Sequence, residues 1–280
     1  MNSNHTPPRA LTIAGSDPSG GAGLQADIAL FTRLGVAPMA IPTAMTVQNS
    51  LGVAATYPTP AKAVLEQLAN LMADMPPAAT KTGMLGDADI VSQLADQLDR
   101  QTLSNLVIDP IHHASSGAAL LAGDGYATLR SRLLPHATLI TPNRHEAEQL
   151  WGHPVINAKD AAQCAKALLS LGPQAVLVTG GHLEAKGYVI DTLADAGGIT
   201  TWRHPRHPGP SPHGTGCALS AAITAYLALG QPLRESIRRA LAYVHNAIRN
   251  ATSPGAGRPY LGDGRIDHDT PVQPHAKEPS

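Results

Sequence analysis

Residues 10–34 read ALTIAGSDPSGGAGLQADIALFTRL. The first five are mostly apolar and stop at Gly15, which predicts a short buried strand over 10–14. Leu24, Ile28, Phe31 and Leu34 then fall near helical spacing, which predicts a helix over 23–34. Between them lies a loop rich in glycine and serine. Strand, glycine-rich turn and helix make one β/α unit, and the same alternation continues along the chain. An extended run is expected at 39–47. A helix follows at 60–75, opened by Pro60 and stopped by Pro76-Pro77. Strands are expected at 78–82, 106–109, 138–141 and 175–179, with helices at 88–98, 125–134, 144–151 and 158–171. Segments 188–193 and 199–203 flank Asp195-Ala196-Gly197-Gly198, a hairpin signal. Helices at 216–229 and 233–251 complete the pattern. Alternation of this kind predicts an α/β protein with a mostly parallel central sheet and helices on both faces.

The chain has no polar linker in its middle and no internal repeat. One domain is therefore expected over 10–252, with a flexible tail at 1–9 and a second, rich in Pro, Gly and Asp, at 253–280. Hydrophobic residues at 43% and charged residues at 15% place the chain among globular proteins. Aromatics are only 3%, so Ala, Leu, Ile and Val must fill the core. A net charge of −1 argues against a nucleic-acid partner. No apolar run is long enough for a membrane span, and MNSNHTPPRA lacks the pattern of a secretory signal. The two cysteines, Cys164 and Cys217, are too few for a disulfide framework or a zinc site. A reducing, cytoplasmic setting is expected.

In open α/β sheets ligands bind beyond the carboxyl ends of the strands, and two glycine-rich loops fall there. The first, Gly15 to Gly23, matches a dinucleotide fingerprint only in form. Residues 16–20 intervene after the strand, and no acidic residue stands about 20 positions on. It also lacks the Gly-Lys-Ser/Thr ending of the common phosphate loop. A backbone-lined pocket for a small substrate is the better reading, and Asp27, one turn into the helix, could accept a hydrogen bond there. The second loop, Pro212-His213-Gly214-Thr215-Gly216, opens an Ala-rich helix. Converging backbone N–H groups and the positive end of the helix make an anion hole suited to a phosphoryl group in transfer. Cys217 then sits in the first helical turn. The helix dipole is expected to lower its pKa, so that its thiolate takes the proton of a substrate hydroxyl. Cys164, inside AAQCAKALL, is expected in the core.

Seven blocks carry a resemblance: LTIAGSDPSGGAGLQADI, TAMTVQNSLGV, KTGMLGDADIV, VIDPI, LITPNRHEAEQL, VTGGH and HGTGCALSAAI. In order and spacing, from about 10 to 251, they resemble the hydroxymethylpyrimidine/phosphomethylpyrimidine kinases of thiamine biosynthesis, within the ribokinase-like superfamily. The resemblance implies a three-layer α/β/α fold, a homodimer, and two phosphoryl transfers from ATP with Mg²⁺. The first goes to 4-amino-5-hydroxymethyl-2-methylpyrimidine and the second to its monophosphate. By position, Gln48 is expected to hydrogen-bond the aminopyrimidine edge. Gly15, Ala22, Asp27, Met84 and Ile111 are expected to line the rest of the substrate pocket. Asn143 and Glu146 match an N-x-x-E motif near metal and phosphates, and Asp109 is expected to order metal-bound water. Thr179 and Gly181 are expected beside the nucleotide. Gly214, Thr215, Gly216 and Cys217 are expected to form the catalytic loop.

Two departures stand out. Many family members carry Lys-Ser-Gly where this chain has Ser115-Ser116-Gly117, and a lysine where it has Thr179. His112 and His113 read as loop residues. Two alternatives stay open: a pyridoxal or pyridoxine kinase, which shares the Cys-bearing loop, and a sensor that binds the pyrimidine without catalysis.

Overall fold

The structure, a computed structural model, describes residues 6–112, 120–121, 124–183, 185, 187–264 and 273–275. Ten strands form one sheet: β1 (Arg9–Ser16), β2 (Ala37–Asn49), β3 (Gly52–Pro58), β4 (Ala79–Thr82), β5 (Leu106–Ile108), β6 (Leu139–Ile140), β7 (Ala175–Val178), β8 (Tyr188–Asp195), β9 (Gly198–Pro205) and β10 (Gln273–His275). Their order is β10-β9-β8-β7-β6-β5-β4-β1-β2-β3. The middle of the sheet, from β2 through β1, β4, β5 and β6 to β7, is parallel. Both edges are antiparallel, β3 on β2 at one side and β8–β9–β10 at the other.

Side chains alternate across each strand, as a pleated backbone requires. Leu11, Ile13, Leu106, Ile108, Val176 and Val178 point to one face. There they pack on α2 (Ala61–Asp74), α3 (Ala88–Arg100), α5 (Arg144–Trp151) and α6 (Ala158–Leu168), beside the short α4 (Gly125–Thr128). Ala10, Val107, Ala175 and Leu177 point to the other face, onto α1 (Gly23–Arg33), α7 (Thr215–Ala228) and α8 (Leu233–Arg249). The result is the α/β fold with helices on both faces that the alternation predicts. α7 is buried along nearly its whole length, between α8, α1 and the sheet. Its Ala-rich sequence lets those neighbours approach closely. Cys164 lies in the core as expected. Among the described residues no helix is long and apolar enough to cross a membrane.

Three expectations need correction. The helix expected at 125–134 is one α turn, then a π turn over Leu129–Leu133 and a 3-10 turn over Leu134–His136. Pro135 has no N–H for a regular helix and its ring crowds the carbonyl of residue 131. The extended run expected at 39–47 is one arm of a hairpin whose second arm, β3, has too little apolar alternation to be read. The tail expected to be loose from Ser253 is docked as far as Gly264. Thr252 and Tyr260 exchange backbone hydrogen bonds at 3.0 and 2.7 Å, Pro259 accepts from His213 N at 2.8 Å, and Gly262 N donates to Ala247 at 3.0 Å.

Candidate active site

A cavity of about 1460 Å³ opens beyond the carboxyl ends of the central strands. One small ligand needs roughly 300–1,000 Å³, so this space admits two. Its middle is the loop before α7. Gly214 caps that helix at φ +80°, a conformation that favours glycine, and a Cβ there would overlap the carbonyl oxygen of Gly21. The two glycine-rich loops therefore interlock through bare backbone. Gly214, Thr215, Gly216 and Cys217 all line the cavity, and the free N–H groups of α7 face it.

The low-pKa thiolate expected at Cys217 is not what the structure shows. Burial pushes the thiol up to about 12, and the carboxylates of Asp109 and Asp27 add to the rise while Lys81 opposes it. A helix terminus supplies about 0.3–1 kcal/mol for a charge. Ionising a thiol that titrates near 12 costs about 7 kcal/mol at pH 7. The dipole loses that contest, and burial keeps the thiol above its ordinary value.

Two carboxylates face the hole. Asp109 follows β5 and accepts a 3.1 Å bond from Ser220 Oγ on α7. Burial raises it to about 6 against the pull of Lys81. Glu146 lies in the first turn of α5, where Asn143 caps the helix. Asn143 Oδ1 accepts from His145 N and Glu146 N, while Glu146 Oε2 accepts from Asn143 N at 2.8 Å. Burial, with Asp109 nearby, raises Glu146 well above its ordinary value. Two buried carboxylates driven toward their protonated forms form a donor set that a hard cation would complete. No group of three or more His, Cys, Asp or Glu among the described residues could hold such an ion unaided. It would draw the rest of its shell from phosphate and water, as Mg²⁺ does.

Toward the β2 side of the sheet the cavity is lined by Gly15, Ala22, Gln48 and Met84, with Ile111 after β5. Asp27 does not join them. It is fully buried in α1 beneath the floor, where Lys81 Nζ donates to both its oxygens at 2.8 and 2.7 Å and Thr12 Oγ1 at 2.6 Å. Lys81, on β4, reaches the cavity floor instead. Burial opposes its charge, but the carboxylates of Asp27 and Asp109 hold the ammonium above its ordinary value.

Toward the β7 side the cavity is lined by Asn143, Thr179 and Gly181. Gly180 N donates to Asp191 Oδ1 at 2.8 Å, and burial raises Asp191 to about 6. Three histidines stand beside it. His207 Nε2 is 3.1 Å from His245 Nδ1, and the ring centroids of His204 and His245 are 5.3 Å apart. Burial, then the neighbouring cations, push His204 and His245 down to about 4. Both are neutral at pH 7 and, with His207, Leu241 and Val244, form a wall of the cavity in which the ring planes of His204 and His207 lie 68° and 37° from that of His245.

Sequence reasoning missed Lys81, Asp17, His213 and this histidine wall. A lysine within a strand expected to be buried was a usable signal for the first. The others meet only in space. Ser115 lies outside the described residues, as does His113. His112 Nδ1 is 2.8 Å from Gln149 Oε1, a loop residue as read.

Comparisons with known proteins agree with this fold. A sequence profile of the phosphomethylpyrimidine kinase family matches residues 17–261. The hydroxymethylpyrimidine/phosphomethylpyrimidine kinase of Bacillus subtilis is 38% identical over 249 residues, covering 89% of this chain and 92% of that one. An ADP complex of Bacillus subtilis pyridoxal kinase superposes with a TM-score of 0.84 at 33% identity, over 92% of this chain and 98% of that one. Phosphomethylpyrimidine kinase from Clostridium difficile gives 0.77 at 36% identity, over 86% and 99%. With the profile spanning both glycine-rich loops and the docked segment to residue 261, the chain belongs to the phosphomethylpyrimidine kinase family.

Proposed function

We propose that this protein transfers the γ-phosphoryl group of ATP to the hydroxymethyl oxygen of 4-amino-5-hydroxymethyl-2-methylpyrimidine, and then a second phosphoryl group to the monophosphate. The observation that carries this reading is one cavity lined by both glycine-rich loops. Gln48 and Met84 line it from the β4-to-β2 part of the sheet, and Thr179, Gly181 and His204 from the β7-to-β9 part. Phosphoryl transfer needs positioning and charge neutralisation more than covalent help. The N–H groups before α7 would receive the transferring oxygens. Asp109 and Glu146 would hold Mg²⁺, which supplies charge neutralisation at the phosphates. The nucleotide-bound state of a solved relative, an ADP complex, supports ATP as donor. Both cysteines are free thiols, which suits a reducing cytoplasm.

The test is product analysis after incubation with ATP, Mg²⁺ and the pyrimidine. Monophosphate and then diphosphate are expected. Absence of both, with the pyrimidine still bound, would sink the reading and favour a sensor.

The homodimer belongs to the same reading. The β2–β3 hairpin stands at a sheet edge with Met45 paired across from Tyr57 and Val47 across from Ala55. Met45, Val47 and Tyr57 are 50% exposed or more, as is Leu51 at the turn. An apolar patch of this kind is suited to a second copy of the chain. Sedimentation equilibrium should return twice the chain mass, and Met45→Asp with Tyr57→Asp should halve it. A monomer mass for the unmodified chain would overturn the assignment.

A further inference from the structure

An amide that reads a ring edge can present either its oxygen or its nitrogen, and Gln48 alone does not decide which. Asp17 does. It follows β1 and is 3% exposed. Its Oδ1 accepts from Ser19 N at 2.9 Å and Ser19 Oγ at 2.6 Å. Its Oδ2 accepts from Ala22 N at 3.0 Å and from Gln48 Nε2 at 3.1 Å, and lies 3.1 Å from His213 Nε2. Burial works against its charge, but the bonds from His213 and Ser19 outweigh it and hold the carboxyl below its ordinary value. An ionised carboxylate has no proton to give. Turning the amide over would set Gln48 Oε1 against Oδ2 with no hydrogen between them. Gln48 must therefore keep its nitrogen toward Asp17. His213 Nε2 also stands 2.8 Å from that nitrogen, and its tautomer decides whether it gives its N–H to Asp17 Oδ2 or takes the second N–H of Gln48. Gln48 Oε1 has Thr46 Oγ1 at 3.2 Å and a lone pair to spare.

The geometry points to Asp17 as a positioning residue for specificity: by fixing the amide of Gln48 it leaves only an acceptor for the ring, which admits a 4-amino group and rejects an acceptor in its place. This rests on the reading of Gln48 as the residue that meets the aminopyrimidine edge. It narrows that reading, since an amide by itself offers both donor and acceptor.

The test is calorimetric binding, without nucleotide, of 4-amino-5-hydroxymethyl-2-methylpyrimidine and of its 4-oxo analogue. The unmodified protein should prefer the amino ring by about tenfold or more, and Asp17→Asn should cut that preference to about threefold or less, because an asparagine can pair with either end of the amide. Equal weakening for both rings, with the preference intact, would show that Asp17 only braces its loop and would overturn the proposal. Gln48→Ala separates the two layers: a preference that survives it removes the Gln48 reading itself. If Asp17→Asn does not fold, the side-chain amide protons of Gln48 in the unmodified protein decide by NMR. One must stay protected from exchange when the ring binds. Free exchange of both in the complex would overturn the proposal.

Discussion

Lys81→Met is expected to destabilise the protein by about 3–5 kcal/mol, because it leaves a buried carboxylate without its counter-ion. Lys81 and Asp27 are both fully buried, and Asp27 draws three hydrogen bonds from Lys81 Nζ and Thr12 Oγ1. A domain of this size loses about 2–4 °C in Tm for each kcal/mol, so thermal unfolding should begin of the order of 10 °C earlier. Replacing both partners with Lys81→Met and Asp27→Leu should recover most of that loss, since a well-packed apolar pair is often as stable as a buried ion pair. Scanning calorimetry on the single and double variants checks both statements. A single variant as stable as the parent would mean that Asp27 is protonated in the folded protein. The double variant is not expected to regain activity. Lys81 pulls the titration of Asp109 downward. Without it the Asp109 carboxyl moves above about 6, toward its protonated and non-ligating form at pH 7.

That pair also marks where sequence reading stops. Periodicity found α1 and the arginine-to-tryptophan helix α5 nearly to the residue, because each has an apolar face and a clear stop, and β1 was legible as a continuous apolar run ending at a glycine. The Asn143–Glu146 capping box is equally local, three residues across, and coincides with the N-x-x-E motif that the resemblance assigns to metal and phosphates. Asp27 had an equally clear address on α1, but its partner lies 54 residues away on β4, so its direction could not be known from its neighbours. Asp17, Gln48 and His213 present the same difficulty, at separations of 31 and 196 residues from Asp17. The histidine wall joins β9, the loop after it and α8. Long-range juxtaposition is set by the order of strands in the sheet, and alternation of strand and helix reveals most of the strands without their order. The docked segment to Gly264 was hidden for another reason. It is held by backbone hydrogen bonds, which leave no signature in side-chain pattern.

The thiol is where local reasoning gave the wrong sign, and it carries the largest catalytic prediction. Position in the first turn of α7 argued for a thiolate. The folded environment sets Cys217 near 12, through burial first and the carboxylates second. A base that must ionise from such a value works better as pH rises. Below its pKa the thiolate fraction grows about tenfold for each pH unit, so kcat/KM should climb with that slope from pH 7 toward 9 if Cys217 takes the substrate proton in the free enzyme. Cys217→Ser keeps size and hydrogen bonding but not the ionisable thiol. It should lower turnover by about 10²–10⁴ and flatten the profile, as loss of a general base does. Nucleotide affinity should stay within about threefold, since the backbone N–H groups of the hole are unchanged. An unmodified rate for Cys217→Ser would refute the base role. A low rate that keeps the parent's pH slope would assign the slope to another group and leave Cys217 as a wall of the hole. A cation held by Asp109 and Glu146 would draw the thiol toward its ionised form. A pH profile of the parent that is already flat at saturating ATP and Mg²⁺, but steep in kcat/KM, would place that ionisation in the loaded site, where cation and carboxylates neutralise one another around Cys217.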